Sequence, residues 1–225
     1  MFFDPTWLML IIVSTVIGLA TQGYINSTFR KWSRVPMHTG MSGAQVARRI
    51  LDMNGLHEVP VNSVGGDLTD HYDPRNRTLA LSVPVYGEPS VAAAGVAAHE
   101  AGHAIQHAQN YVWGSIRTAL VPVVSIGSQW AFPAILLGIF LQIAELAWVG
   151  VLFYAGAVLF QVVTLPVEFD ASRRAVDALA VSGTMSPDQI SGVKQVLTAA
   201  ALTYVGAALV SALQLLYFIG LARRS

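Results

Sequence analysis

The chain is 225 residues long, 54% hydrophobic and only 12% charged, with 13 basic residues balanced by 13 acidic ones and a mean hydropathy of +0.54. A soluble domain carries roughly 25% charged residues, so composition excludes an ordinary soluble enzyme and a disordered chain and points to a membrane protein. The zero net charge gives no reason to expect a nucleic-acid partner. No cysteine is present, which removes disulfides, thiolate nucleophiles and cysteine-held zinc together. A metal in this chain must be held by histidine and carboxylate.

Taken in chain order, residues 5–29, 118–144, 146–167 and 195–222 carry no Asp, Glu, Lys or Arg, and each is long enough for the roughly 20 apolar residues a spanning helix needs. The spans are placed near 7–23, 120–141, 147–165 and 197–220, with Pro166 closing the third. The first reads as a retained anchor, because Met1–Pro5 has no basic side chain, includes Asp4, and precedes a run longer than a signal peptide's. The expected organisation is an N-terminal anchor (1–29), a polar α+β segment (30–117), a transmembrane hairpin (118–167), a helical polar segment (168–196) and a last span with its tail (197–225). Eleven of the 13 basic residues fall in the two polar segments, and the other two are Arg223 and Arg224. That asymmetry puts both polar segments on the cytoplasmic face and the N-terminus outside.

Within 30–117, Ser42 is placed to cap an amphipathic helix with Val46, Ile50 and Leu51 on one face and Gly55 as its stop. Residues 59–64 and 78–83 read as strands, with turns at Gly65-Gly66 and Asp73-Pro74-Arg75-Asn76. Ser90 caps a helix over 91–110. In the second polar segment a helix runs through Ala180, and another begins at Ser186-Pro187-Asp188-Gln189, a capping-box pattern with proline at the first helical position.

The helix over 91–110 carries His99-Glu100-Ala101-Gly102-His103. Two histidines four residues apart lie one turn apart on one face, so their imidazoles can converge on one ion. Glu100 can reach a water at that ion's open position and act as general base. A hydrolytic zinc needs a third protein ligand. His107 extends the series but lies about 12 Å along the axis from His99, and Gln106 and Gln109 occupy the places where metzincins have Gly and His. His107 is therefore expected to pack or hydrogen-bond. Glu168 is the better candidate: it is the first acidic residue past the third span, on the same membrane face as His99, and opens a helix. The plainer account of such a residue is an interfacial charge.

His99–His103 followed, after a hairpin of spans, by Glu168-Phe169-Asp170-Ala171 resembles the gluzincin membrane proteases of the HtpX and CAAX-prenyl-protease type. Asp70-His71-Tyr72-Asp73-Pro74, the run from Val96 to Ala108, the run from Leu165 to Ala175, and Ala199-Ala200-Ala201-Leu202-Thr203-Tyr204 more closely resemble the YugP-like family of bacterial neutral zinc metallopeptidases, over nearly the whole chain. The resemblance implies Zn2+ held by His99, His103 and Glu168, with Glu100 as base. Ser172 stands where the broader HtpX pattern has an aspartate, four residues after the ligand glutamate. Asp170 is the candidate to replace it as outer partner of a zinc histidine.

The expected fold is thus a mainly α membrane protein of four transmembrane helices with a small α+β, zincin-like cytoplasmic protease region. The expected function is a membrane zinc metalloendopeptidase whose partners are the lipid bilayer and a peptide or membrane-protein substrate. His71, Tyr72, Tyr86 and Arg173 are available to stabilise an oxyanion, and the strand over 78–83 is expected to take an extended substrate by strand addition. Two rival readings are a site-2-type intramembrane metalloprotease, whose third ligand would be an aspartate inside a span, and a metal-binding scaffold or chaperone without proteolysis. An intact Glu100 weighs against the scaffold, which needs no base.

Overall fold

A computed structural model describes residues 4–223. Met1–Phe3 of the N-terminal flank and Arg224 of the basic tail lie outside the described residues. The elements are α1 (Pro5–Ser33), α2 (Gly43–Met53), β1 (Val61–Val64), β2 (His71–Asp73), β3 (Thr78–Ser82), α3 (Val83–Gly87), α4 (Val91–Ala108), α5 (Val112–Phe140), α6 (Ala144–Ser182) and α7 (Pro187–Ala222). Among the described residues, α1, α5, α6 and α7 are long and apolar enough to cross a membrane, the four helices expected. The chain divides into two compact units. One draws on the chain up to Gln22, Ser115–Pro166 and the chain from Leu202 onward; the other comprises Gly23–Gly114 and Val167–Ala201.

The first unit is helical. A Cβ on Gly138 would lie 2.3 Å from the Ala147 backbone nitrogen, and one on Gly150 would lie 2.6 Å from the Ala131 carbonyl oxygen. Glycine at both places lets the α5 and α6 backbones touch, the small-residue packing typical of helices in lipid. The connection is as tight as expected: Gln142 takes a φ of 57°, and the Ile143 amide donates to the Gly138 carbonyl at 2.8 Å. Phe218 is buried with Ile135, Ile139, Ala147 and Val151, and its ring meets Tyr154 edge-on at 5.1 Å. Leu19, Val123, Leu152 and Leu216 point outward and exposed, the reverse of a surface built for water.

One expectation about a helix end is corrected. Pro166 does not close the third helix, because α6 continues to Ser182 with Pro166 inside it. A proline there takes away the donor to the carbonyl four residues back, but one lost bond in a 39-residue helix kinks more readily than it terminates. α1 runs beyond the span placed near 7–23, to Ser33.

In the second unit the local signals act as expected. The Ser42 side chain accepts from the Gln45 amide while the Gln45 side chain accepts from the Ser42 amide, a reciprocal capping box. Gly55, at φ +73°, follows the end of α2. Ser90 Oγ accepts from the Ala93 amide at 3.2 Å to start α4, and Ser186 and Gln189 form the box that starts α7. The sheet has the order β1-β3-β2. β1 runs parallel to β3, with Val61 opposite Leu79, and β2 runs antiparallel, with Tyr72 opposite Leu79. β2 is a strand that the sequence did not suggest. β3 is therefore the central strand, hydrogen-bonded on both edges, and the expected strand addition there is overturned: no edge is free to receive a peptide. β3 ends at Ser82, whose amide and hydroxyl both donate to Asp70, and α3 begins at once.

Leu79, Leu81, Ile50, Leu51, Val91, Leu179 and Val193 are fully buried around α4. α4 itself is made of small residues, with Ala92, Ala93, Ala94, Ala97, Ala98, Ala101 and Ala104 all buried, so neighbours approach it from several sides. A Cβ on Gly102 would meet the Ala171 carbonyl oxygen of α6 at 2.7 Å, and one on Gly95 would meet Val193 of α7 at 3.3 Å. Gly102→Ala is expected to destabilise, although alanine is intrinsically the better helix former by about 1 kcal/mol, because the obstructing atom is backbone. Thermal unfolding in detergent checks the sign; a higher midpoint for the variant would show that α4 and α6 are free to move apart.

Candidate metal centre

α4 presents His99 and His103 one turn apart, their rings edge-to-face with centroids 4.7 Å apart. The α4–α6 contact at Gly102 and Ala171 carries Glu168 up to them. Its Oε2 lies 3.2 Å from His99 Nε2 and 3.6 Å from His103 Nε2, and the three possible ligand atoms all lie within 4.8 Å of one another. Ligands at about 2.0–2.1 Å around a tetrahedral zinc sit roughly 3.3 Å apart, so this spacing suits one small divalent cation. Glu168 is 2% exposed, while the histidine side chains are 14% and 15% exposed. The trio is thus walled on the carboxylate side and reachable past the imidazoles.

Electrostatics favour a positive charge at this point. Burial pushes the Glu168 carboxyl up, but hydrogen bonds from His103 and His99 outweigh it and hold the group well below the usual carboxylate range. Burial pulls His103 down, and its hydrogen bond with Glu168 together with the charges of Glu100 and Glu168 more than reverse that. A buried carboxylate facing two imidazole nitrogens is satisfied by protons on those rings or by a metal ion in their place. Two neutral nitrogens and one carboxylate oxygen make a donor set that suits zinc. The residues present fit the ion.

The outer nitrogens are also engaged. Ser172 Oγ lies 3.2 Å from His99 Nδ1, and Gln106 Oε1 lies 3.1 Å from His103 Nδ1. With both Nδ1 atoms partnered, both Nε2 atoms are left for the ion. Asp170, the candidate outer partner of a histidine, does not take that place: it accepts from Gln106 Nε2 at 2.9 Å and from the Arg173 and Arg174 guanidinium groups. The position that departs from the HtpX pattern, Ser172, meets His99 directly. Burial raises the Asp170 carboxyl, and hydrogen bonds from Arg174, Gln106 and Arg173 outweigh it and hold the group low. Sequence reasoning named Gln106 only as a departure from metzincins. Its spacing three residues after His103, on one helical face, was the available signal.

Glu100 follows His99 on α4 and is 8% exposed; it makes no hydrogen bond or ion pair with the described residues. The other candidates go elsewhere. His107 Nδ1 pairs with the Tyr72 hydroxyl at 2.9 Å, which gives it the hydrogen-bonding role expected of it. His71 Nδ1 donates to the Thr69 carbonyl at 2.8 Å. Tyr86 borders a shallow surface depression with Met41, Gln45 and Met53 of the α2 side, and Arg173 points outward between Asp170 and Asp177.

A family model described as "Putative neutral zinc metallopeptidase" matches residues 7–223, a span that takes in all four of His99, Glu100, His103 and Glu168. The chain belongs to this family. This neutral zinc metallopeptidase family member is also 46% identical, over 215 residues, to the "Putative membrane protease YugP" of Bacillus subtilis (strain 168), across 94% of this chain and 96% of that protein. The YugP-like resemblance read from the motifs therefore holds, and with the four long apolar helices it makes this family member a multi-pass membrane protein. No solved structure matches it.

Proposed function

We propose that this chain is a membrane zinc metalloendopeptidase that hydrolyses peptide bonds at the cytoplasmic face, with His99, His103 and Glu168 as zinc ligands and Glu100 as general base. The observation that carries the reading is the convergence of two Nε2 atoms and one carboxylate oxygen within 4.8 Å, each imidazole held from behind. A zinc ion bound there supplies Lewis-acid polarisation of a carbonyl and a water acidic enough to ionise near neutral pH.

The chain's own residues do the rest. Glu168, charged and buried, balances one of the ion's two charges. Ser172 and Gln106 keep the imidazoles aimed. Glu100 accepts a proton from the attacking water and returns it to the leaving amine nitrogen, the exchange a partnerless carboxylate beside the site is free to make. The basic residues of the two polar segments orient the site toward the cytoplasm, where peptide tails and exposed segments of membrane proteins are the substrates in reach. The small sheet followed by the histidine-bearing α4 supports a zincin-like architecture for this region.

Neither rival gains from the geometry. α4 is not among the four helices apolar and long enough to cross a membrane, as the site-2 type needs, and the third candidate ligand is a glutamate. A scaffold has no use for a carboxylate beside the metal ligands that makes no hydrogen bond or ion pair with the described residues. The test is direct: protein purified in detergent is expected to contain about one zinc per chain and to cleave an unstructured peptide. Chelation should abolish cleavage and added zinc restore it. Cleavage indifferent to chelation, or a protein that takes up no zinc, would end the proposal.

A further inference from the structure

We infer that Gln106 is a positioning residue that fixes which nitrogen of His103 faces the metal, and that Asp170 in turn fixes Gln106. The inference rests on the zinc reading above but assigns residues that reading does not need. Gln106 is 3% exposed, so its amide answers to protein partners rather than to water. Its Nε2 lies 2.8 Å from the Val167 carbonyl oxygen and 2.9 Å from Asp170 Oδ2. A carbonyl only accepts, and Asp170, gripped by the Arg173 and Arg174 guanidinium groups, is a carboxylate that only accepts as well.

The amide end facing those two oxygens must therefore be the NH2. Turned the other way, Gln106 would set a third oxygen against two others in a buried place. Its Oε1 is thereby obliged to face His103 Nδ1 at 3.1 Å, and an oxygen there requires Nδ1 to carry the proton. Once an ion takes the place of the proton that His103 Nε2 turns towards Glu168, it is that nitrogen's lone pair that faces the ion position. The same logic does not reach His99, because the Ser172 hydroxyl at 3.2 Å can either donate or accept. One imidazole is locked by a chain of obligate donors and acceptors, and the other is held by a partner that adapts.

The geometry also explains why a neutral amide stands behind His103. Glu100 and Glu168 both act on that ring, and a carboxylate in place of Gln106 would add a third negative charge while losing both donors to Val167 and Asp170. Asp170 thus acts on the metal through two intermediaries, and Arg173 and Arg174 act through Asp170.

The test uses the full-length protein in detergent and measures Zn2+ affinity by competition with a chromophoric chelator, with Co2+ absorption as a coordination signature. Wild-type protein that binds neither ion overturns the zinc reading itself. If wild type binds, Gln106→Met is expected to weaken Zn2+ binding by about 10–100-fold and to alter the Co2+ spectrum, with helicity unchanged. Gln106→Glu is expected to do worse than Gln106→Met. Adding Asp170→Asn to it should recover part of the loss, because an amide at 170 can donate to the new carboxylate. A Gln106→Met affinity within about threefold of wild type, or a double variant no better than Gln106→Glu, would overturn the proposal while leaving the zinc reading standing. Should the variants not fold, long-range proton–nitrogen NMR of zinc-loaded wild type labelled in histidine decides: a proton on His103 Nδ1 supports the assignment, and one on Nε2 refutes it.

Discussion

Glu100→Gln is expected to lower peptide turnover by about 10²–10⁴-fold, the range that general acid–base groups supply, while the protein keeps both its zinc and its fold. Glutamine matches the shape of glutamate and cannot take the proton. Metal is retained because the three converging ligand atoms belong to His99, His103 and Glu168. The fold is retained for a further reason: Glu100 is nearly buried and makes no hydrogen bond or ion pair with the described residues, so the change breaks nothing. The thermal midpoint of the variant should therefore stay close to that of wild type. Loss of turnover with undiminished stability is the signature of a group kept for chemistry. Unchanged turnover would mean that another base operates, and loss of zinc would mean that the ligand set is misassigned. Paired turnover, zinc content and thermal unfolding separate these outcomes.

Glu168→Ala is expected to abolish turnover by a different route, with loss of the metal. A zinc left with two imidazoles has lost both its third ligand and the one ligand charge, so affinity should fall by more than the roughly 10–100-fold that an outer-shell partner commands. Metal content after dialysis against a weak chelator checks this, and a variant that still holds zinc with near wild-type affinity would refute the role of Glu168. The metal-free variant should nonetheless fold. Cutting one partner out of a buried ion pair typically costs about 3–5 kcal/mol because a charge is stranded. Here the groups left behind are imidazoles, whose neutral form strands no charge. The stability loss of the metal-free form should therefore fall short of that range.

What could be read from the sequence was local. The caps at Ser42, Ser90 and Ser186 each depend on a side chain reaching an amide three residues on, and each is where the pattern placed it. The histidine pair is equally local, because one helical turn sets its spacing. β2 was not legible: His71-Tyr72-Asp73 has too few residues to show alternation and is a strand only because β3 offers it an edge. The same pairing removed the free edge that 78–83 seemed to offer when viewed alone. Pro166 was misjudged because proline discourages a helix without forbidding it. Gln106 meets His103 three residues away, but Ser172 meets His99 from 73 positions away and Gln106 is anchored at Val167, 61 positions away, contacts that exist only once α4 and α6 have met, and no periodicity announces such a meeting.

That meeting has a consequence for which cations the cage admits. At Gly102 the main chain of one helix rests against the main chain of the other, so no rotamer change can adjust the gap between the histidine-bearing and glutamate-bearing walls. The aperture is a gauge set by peptide atoms: a side chain added at Gly102 would force it wider.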